Sequence, residues 1–140
     1  PKEEEWTLAV HNGLHPKAKY HKVRQVRLVG MLLLVFVQEK YAAYVRGVSV
    51  ETVGTGIMGK MGNKGAVAVR LDLHSTSLCF INSHLAAHQE ETERRNQDFR
   101  EVTFRLAFQN SLPPKTVKDH DVVFWLGDLN YRIDMDQLEE

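Results

Sequence analysis

Apolar and polar residues change rhythm several times along the 140-residue chain, and each change marks an element. "EEEWTLAVHNG" (3–13) places acids in a first turn, Trp6, Ala9 and Val10 on one face and Gly13 at the end, which predicts a short helix with Gly13 as its C-cap. "VRQVRLVGMLLLVFVQEK" (23–40) alternates briefly and then turns continuously apolar, predicting a strand that becomes buried on both faces. "AAYVRGVSVETV" (42–53) predicts a second strand. "GAVAVRLDLH", "STS" and "LCFINSH" predict a hairpin, two β-rich runs about a short polar turn. The stretch 90–108 sets Phe99, Val102 and Leu106 at helical spacing among charges and predicts a helix. A loop with Pro113 and Pro114 follows, then the strand "DVVFWLG", read as buried, and a weak helical tail from Asp134. Strands joined by tight turns, with one long helix between, predict an α+β fold, mainly antiparallel with outer helices, rather than a doubly wound one.

Composition narrows the class. With 43% hydrophobic and 26% charged residues the chain has enough apolar material for one core and reads as an ordinary globular domain. The longest apolar run, Met31–Val37, is far too short to span a bilayer, so no transmembrane segment is expected. No basic segment followed by an apolar one opens the chain, which argues against secretion. The absence of an initiator Met leads us to expect a piece of a longer protein. The single cysteine, Cys79, excludes an internal disulfide and a cysteine-built zinc site, and a reducing compartment is expected. The formal net charge is zero, so no nucleic-acid partner is expected. Lys17, Lys19, Lys22, Arg24 and Arg27 read as a solvated face, whereas Lys60, Lys64 and Arg70 stand in better company for anion contact.

That company is "GTGIMGKMGNKG" (54–65), which holds a G-x-G-x-x-G fingerprint. The dinucleotide reading requires a helix to open directly after the glycines, and here a strand-like run follows, so it is rejected. A phosphate P-loop fails too, because no Gly-Lys-Ser/Thr occurs. Two readings remain: a bulged connection without a ligand, or a loop whose backbone and lysines approach phosphate while Ile57 and Met58 touch lipid. His84 and His88 stand four apart, but without the Glu of H-E-x-x-H a zinc site is not expected. His84 closes one strand as Asp128 closes another, so two strand ends can bring an imidazole and a carboxylate to a common edge. In an extended chain Asp128 and Asn130 share a side, where one could accept a proton from water and the other position it. The competing reading is an Asx-type turn that simply terminates the strand.

"GTGIMGKMGNKGAVAVR", "NSHLAAH", "ERRNQDF" and "WLGDLNYRI", in this order, resemble the signature segments of the inositol polyphosphate 5-phosphatases, most of all their type II group. The likeness runs over essentially the whole chain. A lone G-D-x-N would indicate only the wider superfamily, which also holds DNase I-like and apurinic nucleases. The resemblance implies part of a four-layer α/β sandwich and a Mg²⁺-dependent enzyme that removes the 5-phosphate of phosphoinositides, such as phosphatidylinositol 4,5-bisphosphate, and of soluble inositol polyphosphates. It implies a cytoplasmic location, peripheral to membranes. Carried over by motif, Asp128 would activate the attacking water, Asn130 would hold that water or the phosphate, and His84 would hydrogen-bond the phosphoryl oxygens. Asn63, Lys64 and Lys60 would lie near the substrate, with Ile57, Met58 and Met61 facing the membrane. Arg94, Arg95 and Asn96 would tie the helix start to the sheet edge.

Two departures stand out. Ala66 occupies a position where the family usually has a second glycine, a change expected to stiffen the loop slightly. The segments carrying the Mg²⁺-binding Glu, the substrate-reading Tyr/Lys pair and the final Ser-Asp-His have no counterpart, so residues 1–140 are expected to be the central portion of one catalytic domain with both ends missing. No metal ligand is assigned with certainty within the chain, and the piece alone is expected to show little or no activity. The alternatives are a nuclease of the same superfamily and a non-catalytic lipid-binding module.

Overall fold

A computed structural model describes residues 2–133. Four layers stack in the order helix, hairpin, sheet, helix. Helix α1 (Glu3–Gly13) lies on the outer face of a hairpin made of β1 (Tyr20–Leu28) and β2 (Met31–Gln38). His11 stacks on Phe36 at 5.4 Å between ring centroids, and Gln25 is held by Thr7 and Glu3. Below the hairpin runs a four-stranded sheet of β3 (Val45–Gly54), β4 (Gly65–Leu73), β5 (Thr76–His84) and, after α2 (Thr92–Arg105) and a two-residue ladder of β6 (Ala107–Phe108) and β7 (Lys115–Thr116), β8 (Val122–Asp128). Short 3₁₀ turns at Glu39–Tyr44, Ile57–Gly59 and Val117–Asp119 make the connections.

Strand β4 explains why the layers hold together. Its Val67, Val69 and Leu71 face Val26, Met31, Leu33 and Val35 of the hairpin, while Ala66 and Ala68 face Val102, Leu106 and Phe108 on the α2 side. A strand covered on both faces reads as continuously apolar, and β4 is buried from Gly65 to Leu71. Ala66 is therefore a core residue of the strand rather than part of the loop, so its methyl fills volume instead of stiffening a connection. Truncating Ile81, fully buried on β5, to alanine would cost about 2–5 kcal/mol.

Several sequence expectations are corrected here. The run 23–40 is two strands, not one: the chain reverses at Val29–Gly30, with Leu28 opposite Met31 and Val29 at φ 50°. The inner side chains of β2 are buried and its outer ones only half-buried. The turn between β4 and β5 is His74–Ser75, and α2 spans Thr92–Arg105, shorter than the 90–108 read from the pattern. Helix α1 runs through Gly13 and is capped by extended Leu14. Its expected apolar face is not covered by the described residues, Trp6 being 61% exposed. Likewise β8 borders the described sheet with β5 as its one partner, and its Val122, Val123, Phe124 and Leu126 are exposed rather than buried. The expected helical tail from Asp134 lies outside the described residues.

The β5–β8 pairing is parallel, unlike the other strand pairs, because the chain passes through α2 before returning to the sheet. A parallel register brings like ends together. His84 and Asp128 are consequently partners across the ladder, both at the C-terminal edge.

Candidate active site

The edge is shaped first by backbone. Gly127 has φ 128°, and a Cβ there would strike the Ser83 carbonyl, so only glycine lets β8 close against β5 one residue before Asp128. Beyond Asp128 the strand ends in an Asx turn: Asp128 Oδ1 accepts the Asn130 N–H at 3.2 Å, and Asn130 sits in the left-handed region at φ 56°. The extended same-side geometry expected for Asp128 and Asn130 is thus replaced by a turn, which still leaves both at the edge. The Leu85 N–H donates to the Asp128 carbonyl at 3.1 Å, and Asn130 Nδ2 donates to the Leu85 carbonyl at 2.9 Å. Arg132 donates to the Asn130 Oδ1 at 3.1 Å, so both ends of that amide are oriented.

Three side chains meet at this edge. Asp128 Oδ2 lies 3.5 Å from His84 Nε2, and Lys64 Nζ lies 2.7 Å from the same nitrogen. The same ring nitrogen therefore faces an ammonium and a carboxylate at once. The Asp128 carboxylate is 64% exposed and His84 one-third exposed, which leaves both open to a ligand. The arrangement offers a carboxylate that can take a proton, an imidazole and an ammonium to a single anionic group.

The other expected residues divide. Asn63 is a brace of its own loop: its Oδ1 accepts the Ile57 N–H at 3.4 Å and occupies the space a Cβ on Gly56 would need. It also lines, with Lys64, Thr55, His88, Arg94 and Asp98, an open cleft of about 560 Å³ between the glycine loop and α2. Lys60 is not brought to His84 or Asp128; it is exposed beside the loop tip. Ile57, Met58 and Met61 project there, 65%, 91% and 55% exposed.

The packing of α2 shows Arg94 and Arg95 tying the helix start to its neighbours, as the motif implied, and adds Asp98, which no reading of the sequence had singled out. Arg95 is fully buried and donates to the carbonyls of Ala86, His88 and Gln89, while Arg94 donates to the Thr55 carbonyl at 2.7 Å and pairs with Asp98 at 3.0 Å. Asp98 in turn accepts the Ala86 N–H at 3.0 Å. Burial pushes the Asp98 carboxyl above its ordinary range, against the pull of the Ala86 N–H and of Arg94. Tyr131 donates to Asn96 at 2.6 Å, and Arg105 donates to the carbonyls of Gly54 and Gly59. Arg95, Asp98 and Val102 follow helical spacing as well as any apolar stripe, a polar inner face that a search for hydrophobic residues passes over. Phe99 is nearly half exposed and instead tilts against Trp125 at 4.7 Å.

A divalent metal fits the described residues poorly. Among them no group of three His, Cys, Asp or Glu side chains converges, and a hard cation such as Mg²⁺ needs several fixed oxygens. Among the described residues no helix is long and apolar enough to cross a membrane.

The profile of endonuclease/exonuclease/phosphatase family 2 matches residues 2–140. The type II inositol 1,4,5-trisphosphate 5-phosphatase of Mus musculus is 61% identical over 137 residues, an alignment covering 96% of this chain and 14% of that protein. Human synaptojanin-1 is 43% identical over 130 residues, covering 93% of this chain and 8% of its own. The crystal structure of the inositol polyphosphate 5-phosphatase domain of SPsynaptojanin, in complex with inositol (1,4)-bisphosphate and calcium ion, superposes with a TM-score of 0.83 at 36% identity, over 95% of this chain and 39% of that domain. The chain therefore spans a small part of these full-length relatives and about two-fifths of the solved domain. By profile, sequence and fold, the chain belongs to endonuclease/exonuclease/phosphatase family 2, within its inositol polyphosphate 5-phosphatase group.

Proposed function

We propose that the protein hydrolyses the 5-phosphate of phosphoinositides and of soluble inositol polyphosphates by in-line attack of water, and that residues 1–140 are the central portion of its catalytic domain. The observation that carries this reading is the meeting of Asp128, His84 and Lys64 at one exposed strand edge, with Nε2 of His84 3.5 Å from the carboxylate and 2.7 Å from the ammonium. In this reading the Asp128 carboxylate takes the proton of the attacking water. Its other oxygen is fixed by the Asn130 N–H, so the group needs little reorganisation. Asn130, with its amide held by Leu85 and Arg132, has a second N–H with no acceptor among the described residues, available to position the water or a phosphoryl oxygen. Lys64 leaves His84 for the incoming anion, and ammonium and imidazole together bind the equatorial oxygens as charge builds on them. Asn63 holds the loop that carries Lys64, and Lys60 adds positive potential at the loop rim.

The relatives' inositol phosphate names, and the inositol (1,4)-bisphosphate held by the solved neighbour, support this substrate class. That ligand retains phosphates at positions 1 and 4 and lacks one at 5, as a product of 5-dephosphorylation would. A divalent cation is expected to assist, with Mg²⁺ the candidate; the described residues would offer it Asp128 at most, and its chemistry would be charge neutralisation on the phosphoryl oxygens. In this reading the exposed Ile57, Met58 and Met61 face a bilayer carrying the lipid substrate, and the enzyme works in the cytoplasm at membrane surfaces.

The test is phosphate release from inositol 1,4,5-trisphosphate and from phosphatidylinositol 4,5-bisphosphate vesicles by the full-length protein, with and without Mg²⁺, beside plasmid nicking. Release that persists in Asp128→Asn removes the mechanism, and nicking without release favours the nuclease reading. Assayed alone, residues 1–140 are expected to give little or no release.

A further inference from the structure

The strand ladders carry the site only as far as Gly65 and His84. Gly65 pairs with Gly54 on one side and with His84 on the other, and beyond them the glycine loop and the 85–91 segment part around the open cleft of about 560 Å³. Lys64 and the residues after His84 therefore need a tie outside the sheet, the more so because five glycines leave the 54–65 loop many conformations to lose. Helix α2 supplies that tie. Arg94 Nη2 donates to the Thr55 carbonyl at 2.7 Å, and the Thr55 N–H donates to the Lys64 carbonyl at 2.9 Å. Asp98 accepts the Ala86 N–H at 3.0 Å, two residues after His84. Arg94 and Asp98 stand four apart on one helix face and pair at 3.0 Å, with Asp98 1% exposed. The contacts close a ring that runs from Lys64 through Thr55, Arg94, Asp98 and Ala86 to His84, and back to Lys64 Nζ at 2.7 Å.

We propose that Arg94 and Asp98 are positioning residues for phosphate binding: their ion pair sets the spacing between Lys64 and His84, so that ammonium and imidazole reach one phosphoryl group. The inference rests on the reading that these two side chains bind the 5-phosphate. Small misplacements of such groups are costly, and neither ladder extends to Lys64 or Ala86, so the spacing is fixed by whatever bridges them. A guanidinium suits that bridge. Its rigid planar fork presents Nη2 to the Thr55 carbonyl and Nε to the Asp98 carboxylate at a fixed angle, which the single point charge of a lysine does not reproduce. Burial of Asp98 strengthens its two bonds, because little solvent competes for them. The Arg105 bonds to the Gly54 and Gly59 carbonyls hold the loop from outside the ring.

The test is a double-mutant cycle on the full-length protein, read as the calorimetric Kd for inositol 1,4,5-trisphosphate with divalent cations removed by EDTA, beside phosphate release with Mg²⁺. Lys64→Met is expected to weaken binding about tenfold. Arg94→Lys keeps the charge without the fork, and Asp98→Asn keeps an acceptor for Ala86 without the ion pair. Each should weaken binding about three- to tenfold with Lys64 in place and less than about twofold once Lys64 is methionine. A pair that only supported the fold would weaken both backgrounds by the same factor. Arg94 is one-third exposed, so Arg94→Lys keeps the cycle readable where Asp98→Asn does not fold. Equal losses in the two backgrounds, or no loss in either, overturn the positioning role. If Lys64→Met binds like the wild type, the phosphate role of Lys64 fails and the positioning role fails with it. Coupled binding without phosphate release would keep the positioning role and remove the hydrolysis reading, and release with uncoupled binding would do the reverse.

Discussion

Two histidines each hold a basic side chain against Nε2, Lys64 just before β4 for His84 and Arg70 within β4 for His120, and only one of them is available to a ligand. At the upper edge Lys64 Nζ reaches His84 at 2.7 Å; at the lower end Arg70 Nε donates to His120 at 3.2 Å. Around His120 everything is closed. Its Nδ1 donates to the Val117 carbonyl, its ring meets Phe108 edge-on, and Arg70 is spent on Asp72 and the Gly47 carbonyl. Residue burial is 9% exposure for His120 and 3% for Arg70. Around His84 the partners are a lysine and an exposed carboxylate. A cation–imidazole pair is thus not a mark of function in itself. What distinguishes the upper pair is unspent hydrogen-bonding capacity facing solvent.

Substitutions can break that contrast. The largest effect is expected at the upper edge. Asp128→Asn or His84→Ala should lower kcat/KM for 5-phosphate release by roughly 10²–10⁴-fold, the range for losing a positioned acid or base. The thermal midpoint should hardly move, since Asp128 is mostly exposed and neither residue belongs to the core. A variant that instead unfolds would make His84 a structural histidine like its counterpart. At the lower end the signs reverse. Arg70→Met leaves Asp72, the Gly47 carbonyl and His120 without their donor and should cost about 3–5 kcal/mol in urea denaturation, with kcat/KM preserved where the protein stays folded.

Lys64 sharpens the comparison because it could belong to either class. If it serves the phosphate, Lys64→Met loses a charge-assisted bond and should raise KM about tenfold or somewhat more, leaving the midpoint in place. A fall in stability with unchanged KM would align Lys64 with Arg70.

How much of this the sequence disclosed follows the same physical divide. The β4–β5 hairpin was legible because a strand buried on both faces reads as a continuous β-rich apolar run broken by a short polar turn, and α2 because a period-3.6 pattern survives where Val102 and Leu106 face the core. The β1–β2 turn was not, because Val29 carries none of the chemistry by which turns are recognised, and its φ of 50° is set by the hairpin it closes. The exposure of β8 was hidden as well, since apolar residues on a strand do not say whether a neighbour is present. For the site, the strand-end positions of His84 and Asp128 could be read, whereas their pairing depends on the parallel register imposed by α2, a long-range fact. Asp98 escaped because buried charge looks like surface charge until its partners are known, and the tying role of Arg95 came from the family motif rather than from the pattern of the helix. Lys60 and Asn63 stood beside Lys64 in one loop, and chain proximity alone could not separate the brace and the rim from the residue that reaches His84.

The smallest expected effect concerns pH and belongs to the sealed histidine. Burial first, with the charges of Arg70 and Lys115 adding to it, holds the His120 imidazole below 6.5 in the fold, while the Val117 and Thr116 backbones pull it partly back. The unfolded chain, titrating near 6.5, therefore takes up the proton first as pH falls. The contribution of neutral His120 is complete above that pH and is lost as pH drops from 6.5 toward the folded value, with a slope of at most about 1.4 kcal/mol per pH unit for one proton. Protonation would also turn an N–H of His120 against that of Arg70, so the loss has a clear structural cause. His120→Gln keeps an acceptor for Arg70 and removes the titration. Urea midpoints measured from pH 7.5 to 5 should fall more for the wild type than for the variant. Asp119 and Asp121, held below 3.8 by hydrogen bonds from Thr116 and Ser77, lose their contributions only at lower pH, and Asp98, shifted upward, acts in the opposite direction. The two lowered acids titrate below the measured range and Asp98 is common to both proteins, so the difference between the two curves isolates His120. Parallel curves would mean that the lower pair is as open to solvent as the upper one, and the contrast on which the site assignment leans would be gone.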